Sequence, residues 1–246
     1  NRADCLSILG FAREVSAYFD LPLYLPGAPI QEEPPSCSEE IAINIESPRD
    51  CPLYQTRIIK GVQPGQSPSW LRYRLLAMGQ RPINNIVDIT NYVLLEFGQP
   101  LHAFDQDILS GGGINISRAN KGEKLTTLDG EKRELTTENL LIRDEQGPIA
   151  LAGIMGGANS EINPDSNNVL LECAVFNSTL IRKSARKLNI SSESSFRFER
   201  GVDQPGATKA LDRCTSLIQQ IAGGKVLQGI AKSEPLPWTP VKIGFR

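Results

Sequence analysis

Residues 81–105, RPINNIVDITNYVLLEFGQPLHAFD, decide how the rest of the chain is read, because they hold a helix with both of its ends and the only histidine among 246 residues. Ile86, Ile89, Val93, Leu94 and Phe97 recur three and four apart, the spacing of one helix face. Asn84 or Asn85 can cap the first turn, Gly98 offers a left-handed stop, and Pro100 forbids resumption. The β-branched residues keep a strand as the competing assignment, which length and paired end signals outweigh. His102 is therefore expected just past the helix, on connecting chain held by Pro100.

Outward from this stretch, Ser67-Pro68 opens a second helix carrying Trp70, Leu71, Leu75 and Met78 and closing at Gly79. Alternation at 41–45 and 54–59 predicts strands. Pro22, Pro26, Pro29, Pro34 and Pro35, with Glu32 and Glu33, read as extended linker, assigned to residues 26–40. One amphipathic helix is expected over residues 4–19, so residues 1–25 are assigned to a different structural unit. Downstream the pattern turns to sheet, with a strand at 114–117 and a hairpin at Asp129-Gly130. Strands at 139–143 and 149–155 flank Gln146-Gly147, and a third at 169–175 is apolar on both faces apart from Glu172. Helices at 178–188 and 205–222 follow, and residues 230–246 read as linker. The order of elements predicts a mixed α+β fold, with sheets and helices around a pocket.

A formal net charge of -2 argues against indiscriminate coating of nucleic acid and leaves room for a local basic face. The five cysteines are odd in number, scattered, and form no C-x-x-C, which points to a reducing, cytosol-like compartment. No apolar run approaches the roughly 20 residues of a membrane span. The first residue is Asn1 rather than methionine, so a processed or excised piece of a longer protein is expected.

Glu172 lies on a strand with no polar alternation, so it is expected to be buried, where an unpaired carboxylate costs several kcal/mol. An internal partner is the commoner explanation, and a recognition group awaiting a ligand hydroxyl or amine is the sharper one. His102 cannot build a zinc site with other histidines, and no metal site is expected. It suits a general base or a water-orienting group, or else is simply packed, and Asp105 could fix its tautomer or cap a turn. Arg182, Lys183, Arg186 and Lys187 form a basic stripe opposite Leu180, Ile181, Ala185 and Leu188, suited equally to a phosphate backbone or to solvent. Ser191, Ser192, Ser194 and Ser195 precede FRFERGVD, in which Arg197, Glu199 and Arg200 suggest an ion-pair cluster. No G-x-S-x-G elbow surrounds these serines.

Taken together, the stretch at 81–105, LTTLDGEKREL, ALAGIMGGANSEI, LLECAVFN and SSFRFERGVD, in this order, resemble the central part of the beta subunit of bacterial-type phenylalanyl-tRNA synthetase. The resemblance covers about residues 41–229, the B3/B4 editing module, with residues 1–25 similar to the closing helix of a preceding B1 domain. It implies hydrolysis of tyrosine wrongly esterified to tRNA(Phe). The implied pocket comprises Thr90, Asn91, Pro100, His102, Ala152, Gly153, Glu172 and Ser194, with Glu172 taking the tyrosine hydroxyl and His102, Thr90 and Asn91 placing the terminal adenosine and the attacking water. The serine-rich loop at Ser194 departs from the family pattern. The resemblance further implies tRNA(Phe) and an alpha subunit as partners in a heterotetramer of two alpha and two beta subunits. ATP and magnesium would be bound outside this segment. Two rival readings are a non-catalytic tRNA-binding or scaffold module using the basic helix, and a serine esterase using Ser194 or Ser195 with His102.

Overall fold

The structure is a computed structural model describing residues 2–245. The first half runs α1 (Ile8–Phe19), β1 (Glu32–Ser36), α2 (Cys37–Glu40), β2 (Ala42–Ile45), β3 (Leu53–Lys60), α3 (Ser69–Ala77), α4 (Asn85–Phe97), β4 (Leu101–Asp105) and β5 (Gly113–Arg118). Then come β6 (Lys124–Thr126), β7 (Lys132–Glu134), β8 (Leu140–Arg143), β9 (Pro148–Leu151), β10 (Met155–Gly156) and β11 (Asn168–Val175). The chain closes with α5 (Ser178–Leu188), α6 (Glu193–Phe198), α7 (Ala207–Ile221), β12 (Lys225–Gln228) and β13 (Ala231–Ser233). This is the mixed α+β architecture expected from the sequence.

Two sheets organise the molecule. The larger has the order β1-β12-β3-β11-β4, with β13 also paired to β3. The smaller has the order β10-β9-β8-β5-β2, and β6-β7 form a separate hairpin. Side chains alternate across the central strands. Leu101, Ala103, Leu171 and Cys173 join the core under α3, α4 and α7, whereas Phe104, Leu170 and Ala174 face the smaller sheet and pack with Ile116, Ile142 and Ala150. The layers are therefore helices, larger sheet, smaller sheet.

The 81–105 stretch folds as its end signals direct. Asn84 caps α4 by accepting from the N–H groups of Ile86 and Val87, and Gly98 ends it with φ 78°. His102 departs from expectation: the five residues after Pro100 are a strand, β4, paired antiparallel to β11, rather than connecting chain. Proline and glycine stop a helix without preventing an edge strand from starting directly afterwards.

Both stretches expected as linker contain sheet. Glu32–Ser36 pairs in parallel with β12, and Ala231–Ser233 pairs with β3. Prolines sit in β1 because it is an edge strand with an irregular register between Glu33 and Ser36. The helix expected over 4–19 is divided at Ser7, which caps α1 from outside by accepting from the Gly10 N–H. The strand expected at 149–155 breaks into β9 and β10 at a turn where Gly153 has φ 68°. The serine-rich stretch, expected as loop, is α6, with Ser192 and Ser195 bonding each other's backbone N–H at its start.

Candidate active site

Register assembles the site. On the antiparallel β4–β11 pair His102 stands directly opposite Glu172, which places their Cβ atoms about 4.5–5.5 Å apart on one face. A slip of β4 by one residue would turn His102 into the helical layer, away from Glu172. The cleft they share is half-open and is bounded by Pro100, His102, Gly156, Glu172, Ser194 and Phe198, together with Ile142, Ala150 and Ile154.

Glu172 is 6% exposed, lines the cleft, and has no hydrogen bond or charge acting on its carboxyl group among the described residues. The internal partner that burial would normally require is missing. Burial pushes its pKa up to about 8, so the carboxyl is protonated at neutral pH and can both donate and accept. His102 is neutral for the same reason, its pKa lowered to about 4 by burial. Its Nε2 is buried without a partner, and its ring lies edge-on to Phe104 with centroids 4.5 Å apart. Two uncharged, unsatisfied groups thus face one small space.

Gly156 on β10 makes room for the imidazole. A Cβ built there would lie 2.7 Å from His102 Cε1 and 2.8 Å from Nε2. Gly153 serves the backbone instead. Its left-handed conformation makes the β9–β10 turn, and a Cβ would meet Phe176 and Phe198 at 2.9 and 3.0 Å.

Of the residues implied for the pocket, Pro100, His102, Gly153, Glu172 and Ser194 bound the cleft. Ala152 does not; it is buried, with its N–H on the Leu140 carbonyl at 3.0 Å. Thr90 and Asn91 do not either, because α4 packs on the opposite face of the larger sheet. Thr90 gives its hydroxyl to the Val87 carbonyl within the helix, at 2.8 Å. Asp105 caps a turn rather than serving His102, accepting from Ser166 Oγ at 2.6 Å and the Asp107 N–H at 3.0 Å. Ser195 Oγ donates to the Ser192 carbonyl, and among the described residues no hydrogen bond joins a serine to His102. Arg197 pairs with Glu193, and Arg200 with Glu199, so the expected cluster is two separate pairs. The basic stripe on α5 is exposed, and Lys187 is engaged by Glu138 at 2.8 Å. Asp4, Cys5 and Glu14 come close enough to ligate a metal, but Arg2 pairs with both carboxylates.

A model of the B3/4 domain family matches residues 50–223. The chain belongs to that family. Across all 246 residues it is 52% identical to the phenylalanine–tRNA ligase beta subunit of Nitratidesulfovibrio vulgaris and 50% identical to that of Moorella thermoacetica. The match takes in 100% of this chain and 31% of each relative, so the chain spans about a third of their length. A crystal structure of an N-terminal fragment of the phenylalanyl-tRNA synthetase beta subunit from Pyrococcus horikoshii aligns over 92% of this chain and 60% of its own, with a TM-score of 0.52 and 16% identity. At that identity the likeness speaks for the fold alone. Within this B3/4 domain, Ile142 and Phe198 are wall residues that sequence reasoning missed. The glycines of ALAGIMGGANSEI, Gly153, Gly156 and Gly157, permit close backbone approach, and Gly156 makes one, to His102.

Proposed function

We propose that this B3/4 domain hydrolyses tyrosine mis-esterified to tRNA(Phe), as the editing part of a phenylalanine–tRNA ligase beta subunit. The observation that carries the reading is Glu172, buried and unpartnered directly across from His102. A site that merely tolerates an added hydroxyl discriminates by about a hundredfold, whereas one that bonds it can discriminate by about ten-thousandfold or more. Glu172 is such a site: a tyrosine phenol satisfies its carboxyl, and phenylalanine leaves it unpaired. Because burial keeps the carboxyl neutral, no unpaired charge has to be held in the cleft before substrate arrives.

Hydrolysis needs water at the ester carbonyl. With a pKa near 4, His102 is a weak base, and its role is to orient the attacking water rather than to take a proton fully. Ser194, on the rim, is placed to bond the ribose or the ester but has no base of its own. The exposed stripe of Arg182, Lys183 and Arg186 supplies phosphate contacts for the tRNA. The alpha subunit, ATP and magnesium belong to the complete ligase, outside this segment.

The test is hydrolysis of tyrosyl-tRNA(Phe) by the ligase containing this segment. Glu172→Ala should lower kcat/KM at least a hundredfold for the tyrosyl ester while leaving phenylalanine charging intact, and His102→Ala should lower kcat. Unchanged tyrosyl hydrolysis in Glu172→Ala would overturn the reading. Serine trapped as a covalent intermediate would favour an esterase instead, and tRNA binding without turnover a scaffold.

A further inference from the structure

β4 is the edge strand that carries His102, and β11 is the one strand it pairs with. The register sets Leu101 opposite Cys173, so the next step sets Pro100 opposite Ala174. Asp105 turns its N–H outward, to the Ser160 carbonyl at 3.1 Å. By the alternation of an antiparallel strand, Phe104, His102 and position 100 face β11 with their backbone polar groups. Position 100 is a proline and has no N–H to give. The carbonyl of Ala174, a residue only 1% exposed, therefore lacks its ladder donor at the end of the strand where Pro100 borders the cleft.

The side chain of Gln99 takes the place of that N–H. Gln99 is 4% exposed, and its Nε2 donates to the Ala174 carbonyl at 2.9 Å and to the Pro100 carbonyl at 3.0 Å. Its Oε1 is buried and unpartnered. A flipped amide would aim an oxygen at two carbonyl oxygens, so the two bonds from Nε2 fix the orientation. An apolar side chain of equal length would fill the same space without burying an unpaired oxygen. The amide is thus accounted for by what it donates. Gln99 does not border the cleft, so any effect it has there passes through its neighbours. The other end of β4 is fastened separately, through the Asp105 N–H and the Asp105 carboxylate, which accepts from Ser166.

We infer that Gln99 is a positioning residue for His102: its amide closes the rung that Pro100 leaves open and so holds the first residues of β4, with the imidazole, in place opposite Glu172. For its effect on hydrolysis this rests on the water-orienting role proposed for His102; the placement of the imidazole does not depend on that role. Glu172 lies on β11, which is paired on both sides. Loss of Gln99 therefore leaves the phenol-binding carboxyl where it is. Turnover depends on Gln99, and recognition of the hydroxyl does not.

His102 is the only histidine in the chain, so its imidazole gives one unambiguous set of NMR signals. Gln99→Met keeps the length of the side chain and removes the donor. In the 246-residue chain it should speed exchange of the His102 amide about tenfold, the opening that one lost hydrogen bond allows. It should also move the imidazole titration up from about 4 toward the ordinary 6.5, while exchange of the Phe104 amide stays as it was. Pro100→Ala supplies the absent N–H, and in that background Gln99→Met should have little effect on His102. Equal effects in both backgrounds, or none in either, overturn the proposal. If Gln99→Met alone does not fold, folding regained with Pro100→Ala supports the proposal, and folding still lost overturns it. In the ligase, Gln99→Met should lower kcat for tyrosyl-tRNA(Phe) by about tenfold to a hundredfold at constant KM, with phenylalanine charging intact. A rise in KM at constant kcat would show Gln99 acting on Glu172 instead and overturn the assignment. If the NMR signals of His102 move and hydrolysis does not change, the editing role of His102 fails and its placement by Gln99 stands.

Discussion

Two buried ionisable residues sit on adjacent central strands and are treated in opposite ways. Arg57 on β3 is paired across the ladder with Leu171, the neighbour of Glu172, so it points into the opposite layer. Its guanidinium is 7% exposed, yet it is met on every side: Glu32 of β1 at 2.6 Å, Asp212 of α7 at 2.8 Å and the Gly229 carbonyl at 3.0 Å. Glu172 has no such partner among the described residues, burial alone shifting its carboxyl. A buried ionisable group that holds a fold together arrives with its partners, and one left without them, like Glu172, stays neutral and is a candidate for a ligand.

The contrast is broken most severely from the Arg57 side. Arg57→Ala leaves Glu32 and Asp212 facing each other without their cation and unties the edge strand from α7. It should lower unfolding free energy by about 3 kcal/mol, read from urea denaturation. Glu172→Gln should leave stability unchanged or raise it at pH 7.5. Equal destabilisation by both would erase the distinction between a structural ion pair and an unpartnered carboxyl.

The next effect is one of pH, with signs set by two groups shifted in opposite directions. Glu172, raised from 4.5 to about 8, holds a proton in the folded state that the unfolded chain has lost, so stability falls as pH rises between those values. His102, lowered from 6.5 to about 4, lacks a proton that the unfolded chain holds, so stability rises with pH in that window. The slopes oppose below pH 6.5, and above it only Glu172 acts. Stability should therefore drop by about 2 kcal/mol between pH 6.5 and 8, at about 1.4 kcal/mol per pH unit, and Glu172→Gln should flatten that stretch. A wild-type curve already flat there would mean that Glu172 is ionised in the free protein.

How far the sequence foretells this contrast depends on the range of the signals. The caps of α4 at Asn84 and Gly98, and the unbroken apolar run around Glu172, are local and legible. What Glu172 faces is not, because it depends on the β4–β11 register, and β4 is too short for alternation to announce it. Arg57 gives no sequence signal for the same reason, since its partners come from residues 25 and 155 positions away. Motif resemblance draws Thr90 and Asn91 toward the pocket, but a helix that packs behind a sheet cannot reach through it. Pro34 and Pro35 disguise an edge strand as linker.

A smaller change isolates the His102 half of the site. Gly156→Ala places a methyl within 2.8 Å of Nε2, so the imidazole must turn away. Overpacking of this kind costs about 1–3 kcal/mol, and the lower end is expected because a ring can rotate where backbone cannot. The larger consequence should be a fall in kcat for tyrosyl-tRNA(Phe) with KM nearly constant, since Glu172 is untouched. A rise in KM alone would assign His102 to binding.

The mildest test extends the comparison to the surface, where charges again divide into the engaged and the waiting. On α5, Lys187 is held by Glu138, whereas Arg182, Lys183 and Arg186 make no hydrogen bond among the described residues. Each cation that contacts a tRNA phosphate contributes about 0.7–0.9 to the slope of log affinity against log salt. Arg186→Ala should lower that slope by about one such increment, whereas Lys187→Ala should lower it less, because Glu138 already neutralises the ammonium and must release it to the phosphate. Neither change should alter the preference for a tyrosyl over a phenylalanyl ester, which the proposed function assigns to the cleft. If the slope is indifferent to all four side chains, the stripe is a solvated face and the tRNA is held elsewhere. Glu172 would then still select the amino acid, on a substrate delivered by another surface.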